Sequence, residues 1–154
     1  MKRLTAADGM EICYRVRRHR DGPSPAMLLI HGAASNHTRW SEFARHTELR
    51  NGYDLILPDM RGNAGSMCRG RLDLDVWCED LVAILDAENY DSAIVVGHSL
   101  GAQIAFELAR HQRTNRSSSA YIMSIFWPPI SLVSTTASPT SPPPSGSSRP
   151  TRCT

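Results

Sequence analysis

Between Val95 and Gln103 the chain runs VVGHSLGAQ, which sets Ser99 two residues from a glycine on either side, Gly97 and Gly101. A serine hydroxyl is a poor nucleophile at neutral pH and needs a base, an orienting group for that base, and donors for the oxyanion it creates. The G-x-S-x-G spacing comes with the flanks that such a nucleophile requires: the apolar run Ala93-Ile94-Val95-Val96 before it and the helical pattern Ala102, Ile104, Ala105, Leu108 after it. A sharp strand-to-helix turn would lift the Ser99 hydroxyl clear of a sheet. It would hold the serine in strained backbone and bring neighbouring segments too close for side chains at positions 97 and 101, with His98 as the remaining turn residue. The amide of Leu100 would then stand at a helix N-terminus, where free N–H groups and the helix dipole favour developing negative charge. An incidental serine in a small-residue turn explains the glycines but not the flanks.

A second oxyanion donor is offered by Leu28-Leu29-Ile30-His31-Gly32-Ala33, a strand-like run ending in a loop, with the Ala33 amide as the candidate. The base is harder to find. His31 sits ahead of a glycine at a strand terminus, a place where histidine is more often a structural hydrogen-bonding residue than a catalyst. His37 and His98 carry the same expectation.

The elements that must position these groups follow from periodicity. Arg3 to Ala6 and Met10 to Arg17 flank Asp8-Gly9, a hairpin signal, with Met10, Ile12, Tyr14 and Val16 on one face of the second strand. Met27-Leu28-Leu29-Ile30, Asp54-Leu55-Ile56-Leu57 and Ala93 to Val96 are short runs that are apolar on both faces, as strands covered by helices on each side require. Leu74, Trp77, Leu81, Ile84 and Leu85 fall at helical spacing behind the capping residue Asp73, and Trp40, Phe43 and Ala44 suggest another helix. Strands alternating with helices predict an α/β fold with a mostly parallel sheet and an N-terminal antiparallel hairpin.

Composition bounds the partners. The 154 residues carry a formal net charge of +2 and are 41% hydrophobic, enough for one domain and too weakly basic to predict a nucleic-acid or anionic membrane partner. No apolar stretch approaches the roughly 18 residues of a membrane span, and the first residues lack a secretory h-region, so a cytoplasmic protein is expected. Cys13, Cys68, Cys78 and Cys153 form no C-x-x-C pair, and neither a metal nor a cofactor is implied. The basic run Arg15-Val16-Arg17-Arg18-His19-Arg20 lies at a strand end without interleaved aromatics, which predicts a solvated face.

The character of the chain changes after Gln112. All 15 acidic residues precede that point, whereas the last 42 residues hold 11 Ser, 6 Thr, 7 Pro and 4 Arg and no Asp, Glu, Lys or His. A disordered Ser/Pro/Thr-rich tail is expected over 134–154, because proline blocks ladders and helices while serine and threonine bury little apolar area. Within 113–133, the β-prone stretch 120–127 admits one further strand. The abrupt loss of acids is what a shifted reading frame in GC-rich coding sequence would yield.

His31-Gly32 with Trp40 downstream, the segment Pro58-Asp59-Met60-Arg61-Gly62-Asn63-Ala64-Gly65-Ser66, and Val95 to Gly101 together resemble the α/β-hydrolase superfamily, in its branch of small esterases, enol-lactonases and cofactor-free haloperoxidase-like enzymes. The middle segment is similar to that family's D-x-R-G-H-G-x-S loop, with Asn63 in place of His and Ala64 in place of Gly. The resemblance covers about residues 3 to 112 and implies an incomplete α/β-hydrolase fold, with Ser99 as nucleophile and the Ala33 and Leu100 amides as its oxyanion hole. In this family the acid and histidine follow the serine on later loops. Here only Glu107 and His111 follow, roughly 12 Å and 18 Å along a helix that leads away from the site at about 1.5 Å per residue. The expected product is therefore a serine hydrolase for a small ester or lactone, truncated or frameshifted, without its triad acid and histidine. An inactive or ligand-binding remnant and an acyltransferase using the same elbow are the alternatives. Stopping near residue 112 would also leave an apolar sheet edge open to self-association.

Overall fold

A computed structural model describes residues 1–20, 22–67, 70–115 and 121–122. The tail expected over 134–154 and most of the stretch 120–127 lie outside the described residues. Strands β1 (Lys2–Thr5) and β2 (Glu11–Arg17) form the N-terminal hairpin, paired antiparallel with Leu4 opposite Ile12. At its turn the Ala6 amide donates to Met10 O at 2.7 Å and the Gly9 amide to Ala6 O at 2.9 Å, as Asp8-Gly9 predicts.

The remaining strands are β3 (Ala26–Ile30), β4 (Asp54–Pro58), β5 (Ala93–Gly97) and the two-residue β6 (Tyr121–Ile122), and the sheet order is β1-β2-β4-β3-β5-β6. β2 runs antiparallel to β4, whereas β3, β4, β5 and β6 are mutually parallel where they pair. The expected mixed sheet is thus observed. β6 falls within the stretch expected to carry a further strand and pairs Ile94 with Tyr121 and Val95 with Ile122 along the β5 edge.

Helix α1 (Ser41–His46) follows a 3₁₀ turn at His37–Trp40, α2 is Leu74–Ala87 and α3 is Leu100–Asn115. Asp73 caps α2 by accepting from the Val76 amide at 3.0 Å, so the first turn's free donors are met in part by the residue that the spacing singled out. Every residue of β3 and β4 is buried. Alternation splits them between two cores: Leu28, Ile30 and Ile56 join Leu81, Ile84, Ile104 and Leu108 under α2 and α3, while Met27, Leu29, Leu55 and Leu57 pack with Ala44, Trp40 and Phe43 under α1. Each such aliphatic side chain contributes roughly 1.5–3 kcal/mol on burial, which makes the two-sided sheet the main stabilising feature.

One ion pair ties the hairpin to this core. Arg61 lies in the loop after β4, buried, and donates to Asp80 on α2 through Nε at 2.8 Å and Nη2 at 2.7 Å, and to Asp8 at the hairpin turn. The two carboxylates hold its guanidinium far above the ordinary arginine range. Removing Asp80 leaves the buried guanidinium only the half-exposed Asp8 as partner, whereas removing Arg61 and Asp80 together removes the desolvation cost as well. Asp80→Ala is accordingly expected to lower the unfolding free energy by about 3 kcal/mol in urea titration, and the double variant Arg61→Met/Asp80→Leu to lose distinctly less.

Candidate active site

Ser99 sits at φ +54°, in the left-handed region that a non-glycine residue rarely occupies, at the junction of β5 and α3. Its side chain is exposed. The turn is closed by backbone alone: the Gly101 amide donates to His98 O at 2.9 Å and the Ala102 amide to Ser99 O at 2.8 Å. Both glycines are there for space. A Cβ on Gly97 would lie 2.2 Å from Gly101 O, and one on Gly101 would lie 2.5 Å from Ile30 O and 2.6 Å from His31 O. The elbow is therefore wedged against the end of β3, and the His98 amide seals the contact by donating to Ile30 O at 3.0 Å.

Gly32 approaches the same turn from the other side, since a Cβ there would meet His98 Nδ1 at 2.9 Å and Ser99 Cβ at 3.2 Å. The following residue, Ala33, is exposed, and Ala34 takes φ +49°, which turns the loop sharply next to the serine. Neither the Ala33 nor the Leu100 amide donates to a backbone acceptor among the described residues. Two candidate oxyanion donors thus flank the serine, one from the loop and one from the start of α3.

The imidazoles are otherwise occupied. His31 is buried; its Nε2 accepts from the Met60 amide at 2.9 Å, so the proton sits on Nδ1 and is donated to Gly32 O at 2.7 Å. Burial lowers its pKa and keeps it neutral. It bolts the end of β3 to the loop after β4, as expected for a histidine ahead of a glycine. His98 accepts at Nε2 from Arg39 Nη2 at 3.2 Å, and burial together with the Arg39 charge lowers its pKa. Its proton must then lie on Nδ1, a buried atom without a partner among the described residues. His37 donates from both its amide, at 2.8 Å, and its Nδ1, at 2.7 Å, to Asp59 Oδ1. Burial alone would raise the pKa of Asp59, but these bonds and that from the Gly65 amide outweigh it and hold it below the ordinary carboxylate range. His37 thus has a buried carboxylate behind it, yet no hydrogen bond joins it to Ser99.

Two pairings in this neighbourhood had no signal in the sequence. Arg39 reaches His98 across 59 positions and the His37–Asp59 pair spans 22, separations that neither helix nor strand periodicity reports. Glu107 pairs with Arg110 at 2.9 Å along α3, whereas the side chain of His111 lies outside the described residues. The loop that departs from the family pattern keeps its turn. Ser66 Oγ accepts the Cys13 amide at 2.8 Å, the Gly62 amide donates to Ser66 O at 2.9 Å, and Ala64 bears φ +42° where the family motif has glycine.

Comparison with known proteins agrees with this geometry. A family model described as alpha/beta hydrolase fold matches residues 25–142, past the compositional switch at Gln112. The 2-hydroxymuconate semialdehyde hydrolase of Pseudomonas sp. (strain CF600) is 34% identical over 101 residues, 63% of this chain and 36% of that one. An uncharacterised protein of Mycobacterium tuberculosis is 37% identical over 93 residues, 57% of this chain and 26% of that one. Among solved structures, an esterase (EaEST) from Exiguobacterium antarcticum superposes with a TM-score of 0.67 at 19% identity, covering 79% of this chain and 43% of that chain, a likeness of fold. The chain spans 26% and 36% of the length of these two curated relatives.

The positive φ at Ser99 has a measurable cost. Ser99→Gly is expected to raise stability over Ser99→Ala by about 1 kcal/mol, because alanine keeps the left-handed strain and glycine relieves it; thermal unfolding of the two variants checks this. Equal midpoints would show that the elbow carries no strain.

Proposed function

Because the chain belongs to the alpha/beta hydrolase fold family, matched from residue 25 to 142, we propose that residues 1–112 carry the nucleophile half of a serine hydrolase for a small ester or lactone. Ser99 is the nucleophile, and the amides of Ala33 and Leu100 receive the oxyanion. The observation that carries this reading is the exposed serine at φ +54° between two glycines that admit no side chain. In acylation Ser99 Oγ would add to the substrate carbonyl, its proton would pass to a base, and the alkoxide leaving group would depart; water would then release the acid. The Leu100 amide is suited to its part because it opens α3, where the dipole adds to the hydrogen bond.

Among the described residues no imidazole is hydrogen-bonded to Ser99. His31 is bonded at both ring nitrogens, His98 accepts from Arg39 at Nε2, and His37 donates to Asp59 from Nδ1. Oxyanion donors and binding alone sustain roughly 10³ to 10⁴ over the water reaction when a triad is removed, far below a full enzyme. The loss of all acids and histidines after Gln112 supports the frameshift reading. Reading the coding sequence around codons 110 to 120 in three frames tests that point: an alternative frame restoring an acid and a histidine downstream bears it out, and none doing so overturns it.

The lack of a base beside Ser99 among the described residues also supports a second reading, a non-catalytic remnant that binds a ligand at the elbow. A fluorophosphonate probe separates the two. Stoichiometric labelling of Ser99, lost in Ser99→Ala and accelerated by added imidazole, is expected for a competent nucleophile without its base. No labelling of the folded chain would overturn the hydrolase reading and leave the remnant. Transfer of the acyl group to added alcohols in preference to water would identify an acyltransferase instead.

A further inference from the structure

At the far end of the sheet from Ser99 the basic run of β2 closes around a cavity. The cavity measures about 370 Å³ and is lined by Arg17, Arg18, His19, Arg20, Arg50 and Asn51. Arg17 is placed there by its register opposite Leu55, at the start of β4, whereas Ser99 follows the end of β5 where Gly97 pairs with Ile30. The five-residue strands separate the two by roughly 13 Å at about 3.3 Å per residue.

Its charges are unequal in kind. Arg18 is neutralised, donating to Asp54 at 2.9 Å and to Glu88, both buried. Arg17 and Arg50 donate instead to the backbone carbonyls of Ala44 and Arg45, which place the guanidinium groups without cancelling their charge. Arg20 has no carboxylate partner among the described residues. Three guanidiniums without a carboxylate partner therefore face one concavity in a chain whose whole net charge is +2, with the Glu48 carboxylate at its edge accepting from Asn51 Nδ2 at 2.9 Å. Like charges so gathered repel one another unless an anion is seated among them, and a concave wall focuses their field. Guanidinium forks suit the oxygens of phosphate and carboxylate, to which they donate in pairs. Among the described residues no aromatic side chain lines the cavity for a base to stack on, so a compact ligand fits it better than a nucleic-acid strand.

We propose that Arg17, Arg20 and Arg50, with Arg18, His19 and Asn51, form a binding cavity for a small multivalent oxyanion, a di- or triphosphate group or a polycarboxylate. The site is independent of Ser99 and of the chemistry proposed there.

Calorimetric titration of the full chain with tripolyphosphate and, separately, with citrate at low ionic strength tests it. One-to-one binding of either is expected, with the tighter of the two identifying phosphate or carboxylate as the native chemistry. Arg20→Gln and Arg50→Gln should each weaken that binding about five- to tenfold, whereas Arg15→Gln, on the same strand but outside the cavity, should leave it unchanged. Matching circular dichroism spectra and unfolding midpoints would show that the variants remain folded. Absence of binding by both anions overturns the proposal. Equal losses in all three variants would also overturn it, by showing diffuse attraction, and so would tighter binding of a single-stranded oligonucleotide than of either small anion.

Discussion

The whole site depends on how closely the elbow lies against the end of β3. Gly101 stands within Cβ reach of the carbonyls of Ile30 and His31, and the His98 amide bonds to the first of them. That approach brings the loop carrying Gly32 and Ala33 up to Ser99. It is affordable only because β3 and β5 are adjacent parallel strands in register from Ala26–Ala93 to Ile30–Gly97, so both chains leave the sheet at the same level. A side chain at position 97 or 101 would separate them, and the serine would lose its neighbouring amides together with its exposed position.

The two ends of the sheet are specialised. At the carboxyl ends of the parallel strands lie backbone amides, the His37–Asp59 pair, and the buried His31, which holds the loop after β4 by its Met60 bond. At the opposite end buried carboxylates dominate. Glu88 accepts from both Lys2, at 2.8 Å, and Tyr14, at 2.7 Å, and Asp54 accepts from Arg18 and Tyr90. Burial would raise the pKa of both acids, but these donors outweigh it and keep them ionised. This polar cluster pins β1, β2, the start of β4 and the turn before β5 to one another, as Arg61 with Asp80 and Asp8 pins the hairpin turn and α2 to the loop after β4 at the other end.

Much of this was legible beforehand wherever the signal was local. The hairpin turn at Asp8-Gly9, the α2 cap at Asp73, the doubly buried strands and the elbow itself each depend on residues within a few positions of one another, and each took the expected form. His31, too, behaves as its position at a strand end suggested. Long-range polar pairs were not legible. Nothing in the spacing joins Arg61 to Asp80, Arg39 to His98 or His37 to Asp59, because each pair is made by loops that the sheet brings together. The basic run of β2 was expected to be a solvated face; the arrival of Arg50 and Asn51 from the segment before β4 makes its end concave.

The chain's own residue order determined which serine is raised on a strand-to-helix turn, since only a small residue on either side permits that backbone, and which strands are apolar on both faces. Only the tertiary structure decided which partner each described imidazole near the elbow takes: hydrogen-bond partners are chosen by proximity in space, and a histidine's role depends on which atoms the fold sets against its two nitrogens.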